Sequence, residues 1–283
     1  MNFYYVNSKG IRLDFSDYPY LFQEGTLLDY AWTYDTQEGK RNKIKNVHHG
    51  IGEREFQLAL VPDFNLSFDE RKVELLRAAN HVYEVFDTDV NRNVDGRLYT
   101  DTGFYLPCRI MASTKSEWCT GLPFMFQKFT VVSAENMWIK EYTYSFSAGE
   151  TEQEFTGFDY PYDFAYDYDL VMHRCAVTSP AAFDSDFRLE IFGPVIYPII
   201  RINDHAYGVD VTVEEGEYLT IDSKARKIWL TRRNGVTMNC FDLRDRDSDV
   251  FAKIPAQSQN VHFDAAMKFN LVLYDQRSEP AWT

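Results

Sequence analysis

The sequence has few cysteines, a deficit of positive charge and no long apolar run. Its 283 residues include four cysteines, and no two of them have the CxxC or finger-type spacing of a metal site. A chain of this length does not need disulfides, so we interpret Cys108, Cys119, Cys175 and Cys240 as buried thiols in a reducing compartment. No apolar run approaches the ~20 residues that span a bilayer, and the first residues lack the basic-then-apolar pattern of a signal peptide. We therefore expect a protein that is assembled in a cytoplasm, without membrane insertion.

The charge is strongly acidic, with 29 Lys and Arg against 43 Asp and Glu and a formal net charge of −14. A surface of this sign repels phosphate backbones, which argues against sequence-specific nucleic-acid binding. The same repulsion would suit a protein that lets DNA pass without binding it.

Motifs with catalytic or metal-binding chemistry are also missing. The sequence has no phosphate loop, GxGxxG, GxSxG or HExxH motif. His48 and His49 are adjacent, so in a strand they point to opposite faces, and we favour a solvated or interface loop over a metal site. The segment from Asn91 to Gly96 resembles half of a calcium loop, but Thr102 stands where the last ligand should be, which favours a helix-to-strand turn. We predict no enzymatic activity, no catalytic or metal-binding residue and no cofactor.

Aromatic residues are abundant, at 16% of the chain, which favours a mainly β protein. The one clear helix signal is Ser67-Phe-Asp-Glu70, a capping box, and it predicts a helix over about residues 68–86. The apolar stripe that we expect to face the core comprises Phe68, Leu75, Leu76, Ala79, Val82, Tyr83 and Phe86.

The second half of the chain has a dense series of strand and turn signals. Asn234-Gly235, Ser223-Lys224-Ala225 and Glu215-Gly216 are the expected hairpin turns, and Gly193-Pro194 is an expected break between strands. Short antiparallel strands without intervening helices predict a sandwich or jelly-roll-like domain. The polar stretch 148–157 marks the predicted boundary, which gives an N-terminal domain at 1–147, a connector at 148–169 and a C-terminal domain at 170–283.

The connector contains "FDYPYDFAYDYD", in which every second residue is aromatic. Strict alternation predicts an extended chain with one aromatic face, and Pro161 disfavours a central strand. We favour a seam against a domain face or an adjacent subunit over a sugar-stacking platform or a mobile linker. The candidate interface residues here are Tyr160, Tyr162, Phe164, Tyr166 and Tyr168.

A second candidate interface is the strongly basic segment at residues 40–45. Lys40, Arg41, Lys43 and Lys45 form either a solvated loop or an arm that meets the acidic surface of a neighbouring copy. Complementary patches on one chain favour heterologous, ring-forming contacts.

The chain resembles the siphovirus distal tail proteins, also called phage tail family proteins. The resemblance lies in three stretches: the opening "YVNSKGIRLDFSDYPYLFQEGTLLDYAWTYDT", the segment "YPYDFAYDY", and the series "GEYLTIDSKARKIWLTRRNGVTMNCFDLRDRDSDVFAKIPAQSQNV" with the closing "YDQRSEPAWT". One departure is Gln257, at a turn position where the family commonly has glycine.

This resemblance implies an N-terminal domain of strands and one helix that forms a hexameric ring, and a C-terminal galectin-like β-sandwich. The implied role is a structural hub in the virion, at the tail tip, which joins the tail tube protein to the tip or baseplate hub protein and lets DNA pass. A receptor-binding protein is a further candidate partner. The alternative is a carbohydrate-binding β-sandwich module that contributes to host adsorption, because exposed aromatic rings stack on sugars.

Overall fold

The computed structural model describes residues 1–39, 41–118, 121–147, 172–264 and 266–282. The chain divides into two compact units: Met1–Lys140 with Gln276–Thr283, and Glu141–Asp275. Both are built mainly from antiparallel strands, which confirms the predicted fold class. The predicted boundary at 148–157 and the aromatic connector lie outside the described residues, so both stay predictions. Among the described residues, no helix is long and apolar enough to span a bilayer.

The described residues up to 146 form ten strands and one helix. They are β1 Phe3–Val6, β2 Arg12–Asp14, β3 Tyr20–Gly25, β4 Thr33–Gln37, β5 Lys43–His48, β6 Gly52–Leu60, α1 Phe68–Arg92, β7 Gly96–Thr100, β8 Tyr105–Ser116, β9 Met125–Ser133 and β10 Trp138–Phe146.

The long strand β8 takes part in two sheets of the first unit. Its first residues, Tyr105 to Cys108, pair with β7. Its outer part, from Arg109 to Ser116, pairs with β9, with a register shift between Ile110 and Ala112. One sheet therefore has the order β2-β1-β7-β8-β10, and the other has the order β3-β6-β9-β8. Strands β4 and β5 pair only with each other within the described residues.

Helix α1 begins as the sequence predicts. The Ser67 hydroxyl accepts from the Glu70 N–H at 3.4 Å, and a Glu70 carboxylate oxygen accepts from the Ser67 N–H at 2.9 Å. The predicted end near residue 86 is wrong, because the helix continues to Arg92 and its last turn is held by the buried Asp89. Asn93, whose backbone is left-handed (φ 53°), then leads into β7, which confirms the expected helix-to-strand turn.

The predicted core stripe of α1 is partly wrong. Leu75, Val82 and Phe86 are buried as expected, together with Ala78 and Val85. Three other members of the stripe are exposed: Phe68 at 45%, Leu76 at 62% and Tyr83 at 64%. The physical reason is that the stripe is wider than the helix face that the core covers.

A buried carboxylate joins α1 to the first strand. The Tyr5 hydroxyl donates to Asp89 Oδ2 at 2.6 Å, and the Ser8 N–H donates to Asp89 Oδ1 at 2.7 Å. Both Tyr5 and Asp89 are fully buried. A side chain at Gly96 would collide with this pair, because a Cβ there would lie 2.2 Å from the Tyr5 hydroxyl. The contact therefore fixes the helix against the β1-β7 part of the sheet.

The second unit is a β-sandwich. Its strands, after the last part of β10, are β11 Met172–Ser179, β12 Asp186–Phe192, β13 Val195–Ile196, β14 Ile199–Ile202, β15 His205–Gly208, β16 Thr212–Val213, β17 Tyr218–Asp222, β18 Lys227–Thr231, β19 Thr237–Asn239, β20 Gln257–Asp264 and β21 Lys268–Arg277, with a 3-10 turn at Phe241–Leu243.

Two sheets form the layers of this sandwich: β19-β18-β17-β12-β21 and β11-β20-β14-β15. Aromatic rings connect them, with Phe187 edge-on to Tyr207 at 5.0 Å and Phe263 edge-on to Phe269 at 4.9 Å between ring centroids. These rings lie in one continuous apolar core, which stabilises the pairing of the two layers.

The predicted turns of this unit are mostly confirmed. Gly235 (φ 80°) lies in the loop between the paired strands β18 and β19, and Ser223-Lys224-Ala225 joins the paired strands β17 and β18. Glu215-Gly216 is a turn but not a hairpin, because β16 pairs with β13 whereas β17 pairs with β12. Gln257 has φ 77°, the left-handed conformation that glycine adopts most easily, so the turn keeps a glycine-type backbone.

The described cysteines are free thiols, and Cys108 and Cys240 are buried as expected. Cys175 is only half-buried, which corrects the expectation for that residue, and Cys119 lies outside the described residues. Burial raises the pKa of the Cys175 thiol to about 11. These thiols are therefore protonated at neutral pH and pack as small apolar side chains.

Candidate assembly surfaces

The hairpin of β4 and β5, hereafter the arm, is exposed along its whole length. Every residue of both strands is exposed. Among them are Tyr34 at 54%, Ile44 at 66% and Val47 at 55% exposure. A two-stranded hairpin without further packing is marginally stable in water, so exposed apolar residues on both strands indicate a surface that another molecule covers.

The register of the arm separates its charges from its apolar groups. Lys43 pairs with Gln37 and Lys45 pairs with Asp35, so the two lysines share one face. Ile44 pairs with Thr36 and therefore lies on the opposite face. The register shifts between Thr33 and Asp35, so Tyr34 has no partner in the described ladder, and alternation along β4 places it on the face of Thr36. The arm has a basic face and an apolar face.

The predicted basic residues fall on this arm. Lys43 and Lys45 lie side by side on β5, and Arg41 lies in the connecting loop, all three exposed. None of the three has an ion-pair partner within the part of the chain that the structure describes. Lys40 and the five aromatic candidates of the connector, Tyr160, Tyr162, Phe164, Tyr166 and Tyr168, lie outside that part.

The base of the arm is anchored by the histidine pair and a buried arginine. Trp32 packs against the His49 ring with 3.7 Å between ring centroids, whereas His48 turns its Nδ1 to the Asn46 carbonyl oxygen at 2.8 Å. Arg54 is 3% exposed, and its Nε donates to the Asp29 carbonyl oxygen at 2.9 Å. Burial, and to a smaller extent the Arg54 charge, lower the pKa of His49, so this ring is neutral at neutral pH. The two histidines therefore have separate roles at the base of the arm.

Within the described ranges, no group of three or more His, Cys, Asp or Glu side chains is placed to hold a metal ion. The half calcium loop is occupied by the end of α1 and the turn into β7.

A groove between α1 and the β8-β9 hairpin is the second exposed apolar surface of the first unit. It has a volume of about 420 Å³. Buried side chains form its floor, and exposed or half-buried ones form its rim. The floor comprises Val82, Phe86, Ile110 and Phe129, and the rim comprises Tyr83, Asp87, Met111 and Lys115.

This groove was not predicted from the sequence, although its signal is present in α1. The helix has more apolar positions than one buried face can take, and Leu76 and Tyr83 are among the exposed surplus. An apolar stripe wider than the buried face indicates a second contact surface.

The fold defined by these features is a β-rich domain with one helix and a β-sandwich. No protein-family model matches the sequence, and no curated protein sequence matches it significantly.

Solved structures do match it. The Dit protein of phage SPP1, described as a paradigm of the hub adsorption apparatus in phages that infect Gram-positive bacteria, is 10% identical with a TM-score of 0.61, over 97% of this chain and 98% of that chain. A chain of the phage P2 baseplate in its activated conformation with calcium is 13% identical with a TM-score of 0.57, over 96% of this chain and 97% of that chain. The corresponding baseplate with strontium gives 14% identity and a TM-score of 0.56 over the same shares. The resemblance to distal tail proteins is thus confirmed at the level of the fold.

Proposed function

We propose that this chain is a structural phage tail protein, a distal tail hub whose copies form a ring between the tail tube and the tip or baseplate. The observation that carries the proposal is the fold match to SPP1 Dit, which extends over 97% of this chain and so includes both units. A match to one unit alone would leave the role of the other open. The role is one of assembly and connection, without enzymatic chemistry.

The arm is the intersubunit contact of this ring. Its exposed apolar residues need a covering surface, and its lysines and Arg41 have no ion-pair partner among the described residues. Each copy has a net charge of −14, so copies repel one another unless a basic surface meets an acidic one. A contact between two different patches of the same chain is heterologous and closes into a ring when the rotation fits.

The expected assembly has six copies, with the tail tube protein on one side and the tip or baseplate hub protein on the other. Its place is the tail tip of the virion, after assembly in the host cytoplasm. DNA would pass through the ring, and an acidic lining would keep the phosphate backbone from binding.

The test is the mass of the purified full chain across a broad concentration range, measured by mass photometry with negative-stain images of the same samples. We expect particles of six copies that appear as rings, and their fraction rises with concentration. Monomers alone at every concentration, also in the presence of the tail tube protein, would contradict the proposal.

A further inference from the structure

The groove between α1 and the β8-β9 hairpin has the properties of a receiving site. Its floor is buried and apolar, while Tyr83 and Met111 on its rim are 64% and 55% exposed. Leu76 at 62% exposure lies seven residues before Tyr83, which is two helical turns, and so extends the same stripe along the helix. Contiguous apolar exposure of this kind marks an interaction site.

The arm has the complementary shape and chemistry. Its apolar face presents Ile44 and Tyr34 on a narrow two-stranded ribbon, and both side chains are more than half exposed. A groove of about 420 Å³ accommodates a few side chains of this size.

The charged residues around the groove also favour a contact with the basic arm. Asp87 lies on the groove rim beside Tyr83 and, among the described residues, is the one charged α1 residue that lines the groove. Glu84, three residues earlier, is exposed on the adjacent edge of the helix, where it lines a neighbouring depression with Lys9 and Arg92. The Asp87 carboxylate accepts a hydrogen bond from the Tyr83 hydroxyl, which raises the pKa of Tyr83. On the opposite wall, the Lys115 ammonium donates to Ser113 Oγ at 3.1 Å. The helix side of the groove is therefore the acidic side.

We propose that this groove receives the arm of a second copy of the chain, with Ile44 and Tyr34 over the floor and Lys43 and Lys45 at the mouth beside the α1 carboxylates. The lysine stems are long and flexible, so their ammonium groups reach the rim while the ribbon lies in the groove. The inference rests on the proposed ring, since it names the surface that the arm contacts. Arm and groove are different surfaces of one chain, so the contact is head-to-tail.

Two substitutions, each of which replaces a large apolar side chain by serine, test the contact from its two sides. Ile44→Ser on the arm and Tyr83→Ser in the groove should each raise the concentration of half-assembly by about tenfold or more, because each removes a large apolar side chain from the contact. Ile196→Ser is the matched control, since Ile196 is 80% exposed in the sandwich unit, and it should leave the assembly unchanged. Circular dichroism of each variant serves as the control that the chain is still folded.

A charge exchange tests the pairing itself. Lys43→Glu with Lys45→Glu should weaken assembly, and adding Glu84→Lys with Asp87→Lys in the same chain should restore most of it. Restoration is specific, because a variant that merely misfolds is not rescued by two further substitutions.

Oxidative cross-linking tests whether the arm of one copy lies next to the groove of another. The double variant Ile44→Cys with Met111→Cys should give a ladder of covalent oligomers on a denaturing gel, whereas the wild type and the two single variants should not. If the arm variants weaken the ring but the groove variants and the ladder show nothing, the arm contacts another surface, and the inference fails while the hub proposal stands. If the wild-type chain never assembles, both fail.

Discussion

Replacement of Asp89 by alanine should destabilise the first unit by about 3 kcal/mol. Two donors reach this carboxylate, the Tyr5 hydroxyl at 2.6 Å and the Ser8 N–H at 2.7 Å. Hydrogen bonds to a charged acceptor contribute about 1.5–3 kcal/mol each. Two effects offset part of this gain: the carboxylate is buried, and it lies in the last turn of α1, near the negative end of the helix dipole. We therefore take about 1.5 kcal/mol for each of the two hydrogen bonds, which gives the total of about 3 kcal/mol.

Asp89→Asn separates charge from shape. The amide oxygen keeps the Ser8 N–H as donor, and the Tyr5 hydroxyl turns to the Cys108 carbonyl oxygen, which lies 3.3 Å away. The expected loss is therefore about 1 kcal/mol, the contribution of a neutral hydrogen bond. Asp87→Ala, two residues earlier on the helix surface, is the control and should change stability by less than about 0.5 kcal/mol.

The assay is urea unfolding followed by tryptophan fluorescence, which includes the fully buried Trp138 of the same unit. The urea midpoint should be highest for Asp87→Ala, lower for Asp89→Asn and lowest for Asp89→Ala, and the slope of the transition should be the same in all three. If Asp89→Ala unfolds at the same urea concentration as Asp87→Ala, the buried carboxylate does not hold α1 to β1, and the reasoning is refuted.

The remaining predictions concern alkaline pH, packing and salt. Burial raises the pKa of Tyr5 and, to about 12, that of Tyr20. The contribution of these two hydroxyl groups to the free energy of unfolding should therefore be fully present below the unfolded tyrosine pKa of about 10, and it should fall as pH rises above that value. The measure is the phenolate absorbance at 295 nm, which should appear at a higher pH in the folded protein than in free tyrosine. A titration that matches free tyrosine would contradict this. Gly25→Ala should cost about 1–3 kcal/mol in urea unfolding, because its Cβ would lie 2.6 Å from the Glu55 carbonyl oxygen, whereas Gly39→Ala, with 3.9 Å to the nearest atom, should be silent. Lys43→Glu with Lys45→Glu should weaken assembly most at low salt, and a deficit independent of salt would exclude an electrostatic role of the arm.

Features that depend on a few neighbouring residues were predictable from the sequence. The capping box of Ser67 and Glu70 sets the start of α1, and Gly235 sets the β18-β19 turn, because each acts within its own turn. Local chemistry of this kind is fully present in the sequence.

Features that depend on distant strands were not predictable. The division of β8 between two sheets requires β7 and β9 to pair with different parts of one strand, and no local pattern near Ile110 shows it. The turn at Gly216 looks like a hairpin turn because its residues are right, yet its flanking strands pair elsewhere. Periodicity likewise marked Leu76 and Tyr83 as apolar helix positions, but how much of the helix the core covers depends on the width of the sheet beneath it.

The same limit applies to the candidate surfaces. Charge alone identified Lys43 and Lys45, because a basic cluster is conspicuous in an acidic chain. The apolar face of the arm required the β4-β5 register, since only the pairing of Ile44 with Thr36 places it opposite the lysines. The groove required the packing of α1 on β8 and β9.

The arrangement of charge would also select the symmetry of the proposed contact. In a two-fold contact through the arms, Lys43 and Lys45 of one copy would face the same lysines of the other, and like charges would repel. In the proposed head-to-tail contact these lysines would lie near Asp87 and Glu84, and the same charges would attract. Elsewhere the net charge of −14 on each copy opposes close approach. Repulsion over the rest of the surface and attraction at the arm together favour one orientation of neighbouring copies, which is what a closed ring needs.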